Sequence, residues 1–158
     1  MEIEGMEVLY SKIANKINET IPARWDKVIL FAEVSEDANE VFFYFYPESE
    51  SKPIYNLDIP LVYNIDKKQF KNLRYVLNDY FEELWRAFKR SNQDAWTNLT
   101  LTLDKTGKFK IDYSYEDLSG TDAYERQIIW EYKHVGIYPE EGRPKKIIEE
   151  YIEREKAN

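Results

Sequence analysis

Residues 111–130, IDYSYEDLSGTDAYERQIIW, concentrate the side chains that could do chemistry or bind a partner. Carboxylates can hold a divalent metal or transfer protons, and they attract basic groups over long distances. Tyrosines pack rigidly and are enriched in the hot spots of protein interfaces. The stretch is therefore a candidate metal site, active site or protein-binding surface. Its candidate residues are Asp112, Tyr113, Tyr115, Glu116, Asp117, Asp122, Tyr124 and Glu125.

The spacing Asp112-x-Ser114-x-Glu116 places oxygen ligands at alternate positions, as in the first half of a calcium-binding EF-hand loop. That loop also requires glycine at its sixth position and glutamate at its twelfth, where this chain has Asp117 and Ala123. An EF-hand is therefore excluded. A metal-dependent hydrolase that uses Asp112 with Glu116 or Asp117 stays an alternative, and so does a solvated strand edge without a special role.

Other catalytic arrangements lack their essential residues. The chain has no cysteine, its one histidine is His134, and no G-x-S-x-G motif supplies a nucleophilic serine. A lone histidine in a charged helix is typical of a surface position near a helix C-terminus. The glycines are too far apart for a phosphate-binding loop. We therefore expect no cofactor and no cysteine-based metal site, and the carboxylates of Asp112, Glu116 and Asp117 remain the one catalytic alternative.

The composition favours a folded protein with a basic partner. Hydrophobic residues make up 43% and aromatic residues 16%, so the charged fraction of 33% does not indicate disorder. A net charge of −8 disfavours direct binding to nucleic acid or to an anionic membrane, because both require neutralisation by Lys and Arg. We find neither a signal peptide at the start nor an apolar run of about 20 residues that could span a bilayer. The expected location is the cytoplasm.

Hydrophobic spacing predicts the elements that position the stretch. Met6, Leu9, Tyr10, Ile13 and Ile17 form one face of a helix that ends before Pro22. Residues 25–34 and 40–46 read as two strands of a hairpin with both faces covered, because their apolar runs are continuous. Prolines at 53 and 60 predict that the following segment, up to residue 63, is irregular or an edge strand.

The second half of the chain shows equally regular spacing. Asp66 is a candidate N-cap for a long helix whose apolar pattern runs from Phe70 to Phe88 and stops at 91–92. Strict alternation at 97–103 and 109–115, on either side of a turn with Gly107, predicts a β-hairpin. A helix capped by residue 121 or 122, a loop at 139–144 and a charged helix at 145–156 complete the chain.

This order of elements predicts an α+β fold. Predicted strands that follow one another in the sequence, without a helix between each pair, favour a largely antiparallel sheet. We predict a single domain over residues 1–158, with a long central helix and flanking N- and C-terminal helices. The four tryptophans are expected in the core or on a sheet face, because tryptophan is buried on average: Trp25, Trp85, Trp96 and Trp130.

Nearly the whole chain resembles the YezG-like antitoxin family of immunity proteins. The resemblance is carried by the ordered set WTNLTLTLDKTGKFKIDYSYEDL and YERQIIWEYKHVGIYP, together with WDKVILFAEV and the long helix that follows it. It implies a non-enzymatic protein of Gram-positive bacteria, encoded beside an LXG-type polymorphic toxin that is exported by type VII secretion. The implied partner is the C-terminal nuclease domain of that toxin.

The resemblance does not supply binding residues. The prediction that Asp112, Glu116, Asp117, Asp122 and Glu125 attract the partner comes from charge alone. The prediction that Tyr113, Tyr115 and Tyr124 pack against it comes from residue type. An acidic binding module with another partner stays open, and the sequence does not specify whether the chain self-associates.

Overall fold

Residues 5–158 are described by the structure, a computed structural model, and they form an α+β fold around an antiparallel sheet. The contacts divide the chain into two compact units, unit 1 up to Asp117 and unit 2 from Leu118 to Asn158. The predicted fold class and sheet type are confirmed. The extent of one domain over residues 1–158 stays a prediction.

Unit 1 contains the sheet and its helices. The strands lie in the order β3-β2-β1-β4-β5, and each is antiparallel to its neighbours. The predicted hairpins and the first and central helices are confirmed. The elements are α1 (Met6–Thr20), β1 (Trp25–Val34), β2 (Asn39–Pro47), β3 (Ile54–Tyr55), a 3-10 turn (Asn56–Asp58), α2 (Ile59–Tyr63), α3 (Lys67–Arg90), β4 (Asn98–Asp104) and β5 (Phe109–Ser114).

The core lies between one face of the sheet and helices α1 and α3. Val28, Leu30 and Phe43 point into it and are fully buried. On the opposite face Phe31 and Phe42 are buried as well, with ring centroids 5.2 Å apart. Alternate residues of a strand point to opposite faces, so burial on both faces explains the continuous apolar runs of β1 and β2.

Helix α3 begins and ends where its sequence predicts. The side chain of Asp66 accepts a hydrogen bond from the backbone N–H of Lys68 at 3.2 Å, which satisfies a donor that the first turn leaves without a helical partner. Near the other end, Trp85 donates its indole N–H to the carbonyl oxygen of Trp96 at 2.9 Å. Both tryptophans are buried, as is Trp130 of unit 2, whereas Trp25 is half-buried.

The segment between β2 and α3 differs from the prediction. Only Ile54 and Tyr55 form an edge strand, and residues 56–63 are helical rather than irregular or extended. The side-chain oxygen of the buried Asn56 accepts a hydrogen bond from the backbone N–H of Phe43 at 3.1 Å. This bond replaces the next backbone hydrogen bond between β2 and β3, so β3 can end at Tyr55. Pro60 lies in the first turn of α2, where its missing N–H costs nothing.

The β4–β5 hairpin is closed by a tight turn. Asp104 accepts hydrogen bonds from the backbone N–H groups of Thr106 at 2.9 Å and Lys108 at 3.0 Å. A further hydrogen bond from the Thr106 hydroxyl lowers the pKa of Asp104 more than any other contact. Gly107 adopts φ +90°, a conformation that side-chain-bearing residues rarely take. The turn sets the register that faces Leu99, Leu101 and Leu103 into the core.

Unit 2 consists of α4 (Ala123–Trp130), a π-helical turn (Glu131–Val135) and α5 (Gly142–Ala157). Gly136 ends the first helical run in the left-handed conformation, which glycine adopts without strain. Helix α5 begins three residues earlier than predicted, because Pro144 is compatible with a first helical turn. Its apolar residues are buried at Ile147 and Ile148 and half-buried at Tyr151 and Ile152.

Candidate functional site

The eight predicted binding residues are divided between the two units. Unit 1 holds Asp112, Tyr113, Tyr115, Glu116 and Asp117, and unit 2 holds Asp122, Tyr124 and Glu125. We call Asp112, Tyr115, Glu116 and Asp117 the β5-end group, and we call Asp122, Tyr124 and Glu125 the α4-start group. Tyr113 belongs to neither group, because its ring lies against the core.

Strand β5 positions Asp112 and Tyr113 on opposite faces of the sheet. Asp112 lies opposite Thr100 and is exposed, as the alternation predicts. Its carboxylate is 3.8 Å from the Nζ atom of Lys110, with both side chains about two-thirds exposed. A pair that is this exposed and this long contributes little stability. Asp112 therefore keeps most of its charge available to solvent or to a partner.

Tyr113 contacts the edge of the hydrophobic core. Its ring centroid is 5.0 Å from that of Phe88 and 6.0 Å from that of Trp96. Its hydroxyl is 2.9 Å from the hydroxyl of Tyr10 on α1. Burial raises the pKa of Tyr113, and the hydrogen bond with Tyr10 raises it further. These contacts within unit 1 occupy the ring that residue type alone predicts to pack against a partner.

Beyond Ser114 the strand ends and the next three side chains turn outward. The hydroxyl of Thr97 donates to the carbonyl oxygen of Glu116 at 2.6 Å, which ties this segment to the start of β4. The backbone N–H of Glu116 donates to the hydroxyl of Ser114 at 3.3 Å. Tyr115 is 54% exposed, and Glu116 and Asp117 are also exposed. The β5-end group thus presents an aromatic ring beside carboxylates on an anchored segment.

In unit 2, Asp122 caps helix α4 and also binds an arginine. One carboxylate oxygen accepts the backbone N–H of Tyr124 at 3.1 Å, and the other accepts the guanidinium of Arg143 at 3.1 Å. The same guanidinium lies over the Tyr124 ring, 4.7 Å from its centroid. Arginine over an aromatic face is a cation–π contact. Asp122 and Tyr124 are therefore brought together around Arg143.

The role of Arg143 has no local signal in the sequence. It lies 21 residues after Asp122, in the first turn of the following helix, so no helical or strand spacing links the two. Glu125, the remaining member of the α4-start group, is in the first turn of α4 and half-buried. A negative side chain at that position is favoured by the helix dipole.

Among residues 5–158, no three or more His, Asp or Glu side chains are arranged to hold a metal ion, so Asp112, Glu116 and Asp117 do not form such a group. His134 is exposed, with its ring centroid 5.2 Å from that of Trp130. None of the helices in the described part of the chain combines the length and apolarity needed to cross a membrane.

Comparison with known proteins finds similarity over almost the whole chain. The sequence model of a family described as "Immunity protein YezG-like" matches residues 6–149. Immunity protein YezG of Bacillus subtilis is 45% identical over 149 residues, which cover 93% of this chain and 99% of that protein. Immunity protein YezG of Bacillus spizizenii is 40% identical over 154 residues, which cover 96% of each chain.

A third relative comes from a different genus. The type VII secretion system protein EsaG of Staphylococcus aureus is 33% identical over 154 residues, which cover 94% of each chain. The family match, the high identity to the Bacillus proteins and the near-complete coverage agree with one another. This chain belongs to the YezG-like family of immunity proteins.

Proposed function

We propose that this chain is a stoichiometric, non-catalytic inhibitor of the C-terminal nuclease domain of a cognate secreted toxin. Its membership of an immunity protein family supports the protective role. The name of the staphylococcal relative supports a connection with type VII secretion. We further propose that it acts in the cytoplasm, on the toxin before export or on toxin delivered by a sibling cell, without a metal or cofactor.

Acidic side chains and a tyrosine are exposed together at the end of β5, and this observation supports the β5-end group as the binding surface. Asp112, Glu116 and Asp117 are exposed in unit 1, and Tyr115 beside them is 54% exposed. Tyrosine supplies contact area at a low cost in side-chain entropy, since only two torsions are restricted. The β5-end group therefore combines attraction for a basic surface with an aromatic anchor.

The inhibitory mechanism follows from the electrostatics of nucleases. A nuclease holds the phosphates of its substrate with Lys and Arg, so its substrate groove is basic. A chain with a net charge of −8 is steered toward such a groove, and the carboxylates of the β5-end group take the place of phosphates. Tyr115 then packs against the groove wall and excludes nucleic acid.

Rescue from toxicity tests the function itself. The nuclease domain encoded next to this gene is expressed in a host cell with and without the chain, and the two proteins are then copurified. We expect growth to be restored and a one-to-one complex to form. If the folded chain neither restores growth nor forms the complex, the proposed function is wrong.

A matched pair of variants tests the surface. The triple variant D112N/E116Q/D117N removes three charges from the β5-end group, and E48Q/E50Q/D58N removes three from exposed positions beside β3, at the opposite edge of the same sheet. We expect the first to lower the association rate about tenfold at low ionic strength and the second to change it much less, because steering depends on charges close to the contact. Equal effects would show that only net charge matters and that the surface is misassigned.

A further inference from the structure

The short helix α2 points apolar side chains into solvent. Ile59 is fully buried, and the Tyr63 ring centroid is 6.3 Å from that of Phe45 in the core. Leu61 lies on the opposite side of the helix from Ile59, because successive residues are about 100° apart, and Val62 lies on its flank. Leu61 is accordingly 85% exposed and Val62 is 52% exposed, and Leu57 in the preceding 3-10 turn is 41% exposed. These residues form the exposed face of a helix whose opposite face is anchored.

A basic helix start follows this apolar face directly. Lys67, Lys68 and Lys71 at the beginning of α3 are exposed. The nearby Asp66 caps α3 with its carboxylate and keeps its negative charge, but the three lysines outnumber it. Five basic and two acidic residues lie between positions 52 and 78, in a chain whose net charge is −8. This segment is therefore locally positive in an acidic protein.

The apolar and basic parts are close enough to serve one partner. Only five residue steps separate Val62 from Lys67, so their Cα atoms lie no more than about 18 Å apart. The connecting turn is held by Asn64 in the left-handed conformation, at φ 52°, and by a 3.2 Å backbone hydrogen bond from Ile65 to Pro60. A pre-ordered surface loses little conformational entropy on binding.

We infer that this α2–α3 corner, formed by Leu57, Leu61, Val62, Lys67, Lys68 and Lys71, is a docking site for an acidic amphipathic segment of a protein partner. Protruding aliphatic side chains beside a positive rim fit a helix with leucines on one face and carboxylates beside them. The negative charge of the rest of the chain repels such a segment from other surfaces and directs it to this corner. The corner selects the opposite charge from the β5-end group, so it goes beyond the proposed inhibitory contact.

The test uses two synthetic 18-residue helical peptides and the full chain. Both peptides carry leucine at every third or fourth position, with glutamate elsewhere in one and lysine in the other. Amide chemical shifts of the labelled chain are followed during titration. We expect the glutamate peptide to shift resonances of residues 57–71 and the lysine peptide to leave them unchanged. No shift there with the glutamate peptide, or a larger one with the lysine peptide, would overturn the inference.

Matched variants assign the contribution of the apolar face. L61S/V62S should weaken binding of the glutamate peptide about tenfold, the change expected when aliphatic side chains no longer become buried. The control V8S removes an exposed aliphatic side chain of α1, 62% exposed, and should leave the affinity unchanged. Equal losses for the two variants would contradict the assignment, and circular dichroism verifies that both are folded.

Two other occupants are distinguished in the same series. Cosedimentation with phosphatidylglycerol-containing vesicles that depends on Leu61 and Val62, without binding of the glutamate peptide, would show that the corner contacts membranes. Concentration-dependent association in sedimentation velocity that L61S/V62S abolishes, again without peptide binding, would show that it contacts a second copy. Either result would replace the inferred partner, whereas peptide binding weakened by L61S/V62S and by K68E/K71E would establish it.

Discussion

The β5-end group and the α4-start group have similar compositions but differ in how their charges are held. In the α4-start group, Arg143 contacts both the carboxylate of Asp122 and the ring of Tyr124. In the β5-end group, the cation nearest to Asp112 is Lys110, at the longer distance of 3.8 Å. A carboxylate that already binds an arginine of its own chain must release it before it can bind an arginine of the partner. Its net gain in binding free energy is therefore smaller. Groups with similar residue types can thus contribute different amounts of binding free energy.

The largest predicted effect separates Tyr113 from Tyr115. The variant Y113A should lower the free energy of unfolding by about 2–4 kcal/mol, because it leaves a cavity beside Phe88 and Trp96. Y115A removes an exposed ring and should cost less than about 0.5 kcal/mol. Urea denaturation measures both, and similar losses would contradict the different positions of the two rings.

A smaller effect on the same tyrosine should appear at alkaline pH. Burial raises the pKa of Tyr113, so the folded state favours the neutral phenol. The stabilisation is fully present below the ordinary tyrosine pKa of about 10 and is lost as the pH rises above it, because the unfolded chain ionises first. Denaturation of the wild type and Y113F between neutral and strongly alkaline pH measures the difference. If the free energy of unfolding declined in parallel in the wild type and Y113F, ionisation of Tyr113 would not be the cause of the decline.

The two acidic groups can be compared charge for charge through association kinetics. D112N/E116Q should slow association with the proposed nuclease-domain partner about fivefold at low ionic strength, and D122N/E125Q should slow it about twofold. Asparagine is also a good N-cap, so D122N preserves the start of α4. Stopped-flow measurements at several salt concentrations test the ranking. A larger effect of D122N/E125Q would reverse the comparison.

Removal of Arg143 should give the smallest effect and make the two groups more alike. R143Q releases Asp122 and Tyr124, so association should become about twofold faster than in K146Q, which changes the net charge equally at another exposed position of α5. Because the pair is largely exposed, stability should fall by less than about 1 kcal/mol. Equal rates for R143Q and K146Q would mean that Arg143 does not compete with the partner.

The elements that sequence alone predicts correctly are those in which local signals agree. Helix α3 has a capping aspartate, a regular apolar stripe and a polar end, and its boundaries match the prediction. The β4–β5 hairpin has strict alternation and a glycine at the turn, and its register places Leu99, Leu101 and Leu103 inward. In such segments local propensity and burial favour the same structure.

Two features could not be predicted because they depend on residues distant in the chain. The segment up to residue 63, predicted to be irregular or an edge strand, is extended only to Tyr55, since the Asn56 side chain accepts the N–H of Phe43 that a strand residue would otherwise bind. Tyr113 and Tyr115 are two residues apart in the alternating pattern, so the sequence predicts that they point to the same face of the sheet. Their environments differ because Tyr113 meets Phe88 and Tyr10, whereas the strand ends at Ser114 before Tyr115 is reached.

The sequence by itself determined the fold class, the main helices and hairpins, the acidic character and the family resemblance, because periodicity, charge and ordered motifs are properties of the chain. Only the tertiary structure decided which candidate side chains face solvent, that Arg143 holds Asp122 and Tyr124, and that Leu61 and Val62 protrude from α2. Exposure and pairing arise from contacts between segments far apart in sequence. A binding surface is defined by those contacts as much as by its residue types.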